Sequence, residues 1–141
     1  MRRAIEQAQK ALQLNEGMGF GAIIVKDGEI ISEAHNSVLA NIDPTRHGEV
    51  NAIRSASKKL NSSDLSGCVL YSTCEPCPMC FTASWWAGVS KIVFGVSLED
   101  VTNVSREMLV SSEFLNEKGG LTIEIEAWFL KEECMVLYQN I

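Results

Sequence analysis

The chain has no low-complexity stretch, no internal repeat and no flexible linker in its 141 residues. No domain boundary can therefore be drawn, and the length suits a single domain, 1–141, around one sizeable core. No apolar run approaches the roughly 20 residues needed to cross a bilayer, so no membrane partner is expected. Met1 to Ala8 contains two arginines but no apolar segment follows them, so no signal peptide is expected either. Cationic charge is also short: 12 Lys and Arg face 18 Asp and Glu, a formal net charge of −6. Such a surface repels a phosphate backbone, which disfavours a large nucleic-acid partner and leaves small molecules as the expected ones. An even cysteine set is missing. The five cysteines are Cys68, Cys74, Cys77, Cys80 and Cys134, and a C-x-x-C beside proline suits a metal in a reducing, cytoplasmic compartment. With 46% hydrophobic and 21% charged residues, disorder is excluded.

What is present alternates between two periods. Residues 2–14 place Ala4, Ile5, Ala8, Ala11 and Leu12 at helical spacing. Residues 20–26 and 29–35 are β-rich runs around Asp27-Gly28, a strong hairpin signal. A loop spans 36–46, in which Pro44 stops any preceding helix and Thr45 can cap the next. Residues 47–60 form a helix facing inward through Val50, Ile53 and Leu60, and 68–73 a short buried strand. A helix over 77–87 and a strand over 91–96 follow, then a helix near 104–118, a strand over 121–126 and a terminal helix over 131–139. Strands and helices alternating through the middle imply an α/β fold, a mixed sheet with helices on both faces in a three-layer α/β/α sandwich.

Chemistry concentrates in His47-Gly48-Glu49 and Pro76-Cys77-Pro78-Met79-Cys80. Cys77 and Cys80, three apart in the first turn of a helix, send both sulfurs from one face, where the helix dipole and a cation favour thiolate. With His47 they make three zinc ligands, which leaves a fourth position for water as in catalytic sites. Glu49 is then the carboxylate free to move protons. His47 and Glu49 would diverge on a regular helix, so the metal is expected beyond the starts of helices 47–60 and 77–87. Competing readings are a structural zinc with Cys74 as fourth ligand, and a non-catalytic zinc-folded scaffold. His35 reads as a strand-end histidine. Asn36 is either a turn residue or an amide that reads a substrate edge. Phe81, Trp85 and Trp86 suit core or subunit contact, and Met18 and Phe20 suit core or lid.

The stretches Phe20 to Gly28, Asn36, Asp43-Pro44-Thr45, His47-Gly48-Glu49-Val50 and Tyr71 to Cys80 resemble the cytidine/deoxycytidylate deaminase superfamily, whose signature is H-x-E…P-C-x-x-C. Within it the likeness is greatest to the bacterial guanine deaminases. The resemblance covers roughly residues 4–100 and implies a five-stranded sheet between helices, zinc (Zn2+) on His47, Cys77 and Cys80, and Glu49 as proton shuttle. It implies that Asn36 bonds the substrate base, that Asp100 contacts the purine, and that Phe20 lines the pocket. The implied reaction is hydrolysis of guanine to xanthine and ammonia. Cytosine or a related aminopyrimidine or nucleoside is the alternative, followed by adenosine in tRNA. A homodimer or higher homo-oligomer is implied, and Tyr138 with the tail could close a site as a lid. Two departures stand out: Met18-Gly19 where guanine deaminases carry Gly-Pro, and Gly48 in place of their alanine.

Overall fold

Helix α1 (Arg2–Gln13) forms where Ala4, Ala8 and Ala11 share one face, and all three are fully buried. It lies directly on strand β1 (Gly21–Lys26), because a side chain at Gly21 would strike the backbone of Ala4 and Ala8. The structure is a computed structural model and describes residues 1–139. Strand β2 (Glu29–His35) returns through Asp27 at φ 49° and Gly28 at φ 77°, the paired left-handed residues that a two-residue hairpin turn demands. Among the described residues no helix is long and apolar enough to cross a membrane.

The remaining elements are α2 (Val38–Asn41), α3 (Gly48–Leu60), β3 (Cys68–Cys74), α4 (Pro78–Trp86), β4 (Lys91–Val96), α5 (Ser112–Lys118), β5 (Glu124–Glu126) and α6 (Lys131–Met135). Two 3₁₀ turns, Glu99–Val101 and Val136–Tyr138, complete the set. The sheet order is β2-β1-β3-β4-β5, with β1 antiparallel to both neighbours and β3, β4 and β5 parallel. Helices α3 and α4 pack on one face and α1 and α6 on the other, so the expected α/β/α sandwich with a five-stranded mixed sheet is what forms.

Alternation along the strands decides what each face receives. On β3, Leu70 packs toward α3 and α4, while Thr73 points to the opposite face and meets Tyr138. On β4, Gly95 leaves room for α6, since a Cβ there would strike the Cys134 thiol. The inward stripe of α3 differs in part from the expected Val50, Ile53 and Leu60. Glu49, Val50, Ala52 and Ala56 are buried, whereas Ile53 and Leu60 are only partly covered. Small side chains let the helix axis approach the sheet, and the bulky ones flank the contact.

Four boundaries depart from the sequence reading. The 36–46 loop holds the short helix α2. Residues 104–111 are not helical: α5 begins after Ser111, whose hydroxyl accepts the Phe114 N–H, and the buried Glu75 carboxylate accepts the Ser112 N–H at 2.7 Å. Strand β5 spans three residues rather than 121–126, because Gly120 and Leu121 adopt positive φ. The terminal helix tightens to 3₁₀ geometry from Val136, and residues 140–141 of the expected tail lie outside the described residues.

Candidate active site

His47 and Cys77 each stand at the N-cap of a helix, with extended backbone at φ/ψ of −67°/152° and −61°/166°. Because His47 sits outside α3, its ring is released from the helical direction that would have turned it away from Glu49. Pro78, not Pro76, occupies the first turn of α4, where no backbone donor is needed. Thr45 does not cap α3; its N–H and hydroxyl both donate to the Asp43 carboxylate. The two helix starts do converge. His47 Nδ1 lies 3.7 Å from Cys77 Sγ and 3.6 Å from Cys80 Sγ, and the three donor atoms fall within 4.8 Å of one another.

These separations fit zinc. With Zn–S near 2.3 Å and Zn–N near 2.0–2.1 Å, a tetrahedral angle places sulfur and nitrogen about 3.6 Å apart. The Cys77 thiol is lowered to about 4, first by the Cys80 thiol that donates to it and then by His47. Cys80 is pushed up, chiefly because that same bond holds its proton. His47 is raised by its bond to Cys77. The low Cys77 thiol favours a thiolate beside the imidazole, and a divalent cation binding there would displace the proton held by Cys80. The N-terminal ends of α3 and α4 add positive potential at the same point.

Glu49 is 6% exposed at the second helical position of α3. Ser72 Oγ donates to its Oε1 at 3.1 Å, and Cys80 Sγ lies 3.5 Å from its Oε2. Burial is the largest cause that raises its carboxyl above the ordinary range, and Cys77 adds to it. Burial thus disfavours the bare carboxylate and favours uptake of a proton, the first half of general acid–base work. Ser72 was not singled out from the sequence. Its signal was a pair of hydroxyl residues, Ser72-Thr73, inside an otherwise apolar strand.

A cavity of about 320 Å³ opens beside the donors, bounded by Phe20, Asn36, His47 and Glu107 among others, including Met18, Leu39 and Arg106. A recess of about 20 Å³ shares Phe20, His47 and Glu107 and adds Glu49 and Cys77. Asn36 is 5% exposed; its Oδ1 accepts the Val38 N–H, and its Nδ2 has no partner among the described residues. Gly17 makes room for it, since a Cβ there would strike Asn36 Oδ1. Phe20 borders both spaces, and its ring rests 5.3 Å from that of Tyr138.

Other sequence candidates fall elsewhere. The Asp100 carboxylate accepts from Ser97 N–H and Oγ and pairs with Lys131 at 3.0 Å, and it borders neither space. The acidic residue that does border them is Glu107, in a loop whose position no local pattern announces. Cys74 is buried with its thiol near the Ser97 carbonyl, outside the donor cluster. Tyr138 is no lid: it is 2% exposed and donates to Thr73 Oγ1 at 2.9 Å, bracing Phe20 from behind. Phe81 is core, and Trp85 donates to the Gly119 carbonyl. His35 bonds Glu16 and Gln7.

Residues 1–96 match the family model for the cytidine and deoxycytidylate deaminase zinc-binding region. The chain belongs to that family. It is 44% identical over 100 residues to a guanine deaminase of Bacillus subtilis, covering 71% of this chain and 64% of that protein. It is 48% identical over 91 residues to a tRNA-specific adenosine deaminase of Aquifex aeolicus, covering 64% of this chain and 60% of that protein. The chain thus spans just under two thirds of the length of these relatives. A solved structure from work on A-to-I editing by tRNA:A34 deaminases superposes with a TM-score of 0.84 at 26% identity, over 97% of this chain and 96% of that one. Zinc is the family's metal, and His47, Cys77 and Cys80 form a group that could hold it in this chain.

Proposed function

We propose that the protein hydrolyses a free nucleobase, guanine to xanthine and ammonia. The observation that carries this reading is Glu107. Its side chain borders both the cavity and the recess that contains Glu49, so a carboxylate faces the space where a base would lie. A carboxylate there accepts from N–H groups, and free guanine offers a ring N–H at its five-membered ring that a nucleoside has replaced by sugar. The unpartnered Asn36 amide supplies a donor for a ring acceptor on the same base.

When bound, zinc would supply Lewis acidity that makes water acidic enough to yield its proton near neutral pH. His47, Cys77 and Cys80 hold it, and Glu49 takes the proton of the attacking water. A C–O bond forms at the ring carbon bearing the amine. Glu49 passes that proton to the adjacent ring nitrogen, then takes the second proton from the new hydroxyl and gives it to the departing amine, so the C=O forms as the C–N bond breaks. Water and guanine are consumed; xanthine and ammonia leave. Ser72 keeps the Glu49 carboxylate turned toward the sulfurs through these transfers.

A second reading, deamination of adenosine in tRNA, is supported by the likeness to tRNA-specific deaminases. The net charge of −6 opposes it, because an RNA partner rewards a cationic face. A homo-oligomer fits the apolar surface on α4 and after α5, where Trp86 is 75% and Leu121 70% exposed. The deciding experiment is ammonia release by zinc-loaded protein from guanine, cytosine, adenine, isocytosine, their nucleosides and tRNA at low salt. Guanine is expected to react fastest. Release from cytosine alone overturns the purine assignment, and inosine formed only in tRNA establishes the second reading.

A further inference from the structure

We infer that Asn51 is a positioning residue that fastens the base-reading loop to the metal-bearing helix. Asn51 lies one turn after His47 on α3, with its backbone N–H bonded to the His47 carbonyl at 2.9 Å. Its side-chain Nδ2 is surrounded by three oxygens: His35 O at 2.9 Å, Ser37 Oγ at 3.0 Å and Arg46 O at 3.2 Å. These belong to the residues on either side of Asn36 and to the end of the loop that leads into His47. The Ser37 N–H also donates to the Arg46 carbonyl at 2.9 Å, so the loop closes on itself over the same amide.

The orientation of that amide is forced. Two of its three neighbours are carbonyl oxygens, which only accept, so the NH₂ group must face them. Asn51 Oδ1 is consequently left buried with no hydrogen-bond partner among the described residues. A buried acceptor without a partner is costly, and the arrangement retains it while the two N–H hydrogens of the donor side are shared among three loop oxygens. From the other side the Glu16 carbonyl accepts the Leu39 and Ala40 N–H groups, which fixes α2 and leaves Asn36 between two anchors. Asn51 touches no part of the cavity itself; it acts through Asn36.

This inference rests on the reading of Asn36 as a contact to the base, and the test separates the two. Asn51→Asp has the same shape but replaces the donor with an acceptor facing two carbonyls. In zinc-loaded protein with guanine, it is expected to raise KM about tenfold or more while kcat changes less than about threefold. Zinc content should stay as in the parent protein. Hydrogen exchange at the Ser37 and Val38 amides should quicken about tenfold, with the α3 interior unchanged. Asn36→Ala should raise KM similarly, and the double variant should be no worse than Asn36→Ala alone, since one residue works through the other. If Asn36→Ala raises KM while Asn51→Asp changes neither KM nor exchange, Asn51 has no such role. Strict additivity in the double variant overturns it too. If Asn36→Ala leaves KM unchanged, the base-contact reading fails, and exchange at Ser37 and Val38 still decides whether Asn51 fastens the loop. Should Asn51→Asp not fold, Ser37→Ala removes one of the three acceptors and is judged by the same exchange measurement.

Discussion

The two ends of the active site are built on different principles. On one side, His47, Glu49, Cys77 and Cys80 stand at the starts of two helices that pack against a buried sheet. On the other, Glu107 comes from the irregular segment between the 3₁₀ turn at Glu99–Val101 and α5, whose flanks, Leu98 and Ser112, donate their N–H groups to the Glu75 carboxylate. The helix starts fix distances to within the tolerance of a metal, because a cap residue and the first turn have few conformations. The loop can change length or side chain without disturbing them. On the proposed reading, chemistry lies in the rigid part and choice of substrate in the variable part, a division common where a scaffold positions loops.

The sharpest way to break this comparison is Glu49→Gln. Zinc should remain bound while kcat falls by about 10²–10⁴-fold, the usual worth of a positioned acid–base group. The fall should be similar for every base that the protein accepts; steady-state kinetics with metal analysis checks it. A loss of zinc on the same scale would instead make Glu49 part of the metal's support.

A smaller and selective effect is expected from Glu107→Gln. Guanine KM should rise about tenfold, the cost of roughly one charge-assisted hydrogen bond, with zinc content unchanged. Bases that offer no ring N–H at that position should be affected less. Equal losses across all bases would place Glu107 with the chemistry rather than with recognition.

The smallest effect tests the far side of Phe20. Tyr138→Phe removes the hydroxyl that donates to Thr73 Oγ1 at 2.9 Å, leaving the buried ring in place. Urea unfolding should show about 1 kcal/mol less stability with kcat nearly intact. If kcat fell strongly while stability held, the C-terminal turn would belong to the site and not to its support.

Much of the rigid side was legible in the sequence. The spacing of Cys77 and Cys80, with a proline on either side of Cys77, announced a helix start carrying two sulfurs on one face. His47-x-Glu49 after Pro44 announced a second, and Asp27-Gly28 fixed the hairpin that brings Asn36 beside them. The expectation that both helix starts converge on one point also agrees with the structure, because it followed from helical geometry alone. Less legible was how α3 meets the sheet. Ala52 and Ala56 are the fully buried positions there, and small residues carry a weak hydrophobic signal.

The sequence by itself determined the alternating elements, the metal donors and the spare carboxylate, since each depends on contacts within a few residues along the chain. Only the tertiary structure decided the partners of those groups. Ser72 reaches Glu49 because strand parity turns it to the α3 face, and Tyr138 becomes a brace because Thr73 turns to the other. Asp100 and Glu107 look alike in sequence, seven positions apart in one acidic loop. Lys131, from α6, claims the first, and the second is left facing the cavity. Contacts between residues far apart in the chain made that distinction, and no local pattern carries them.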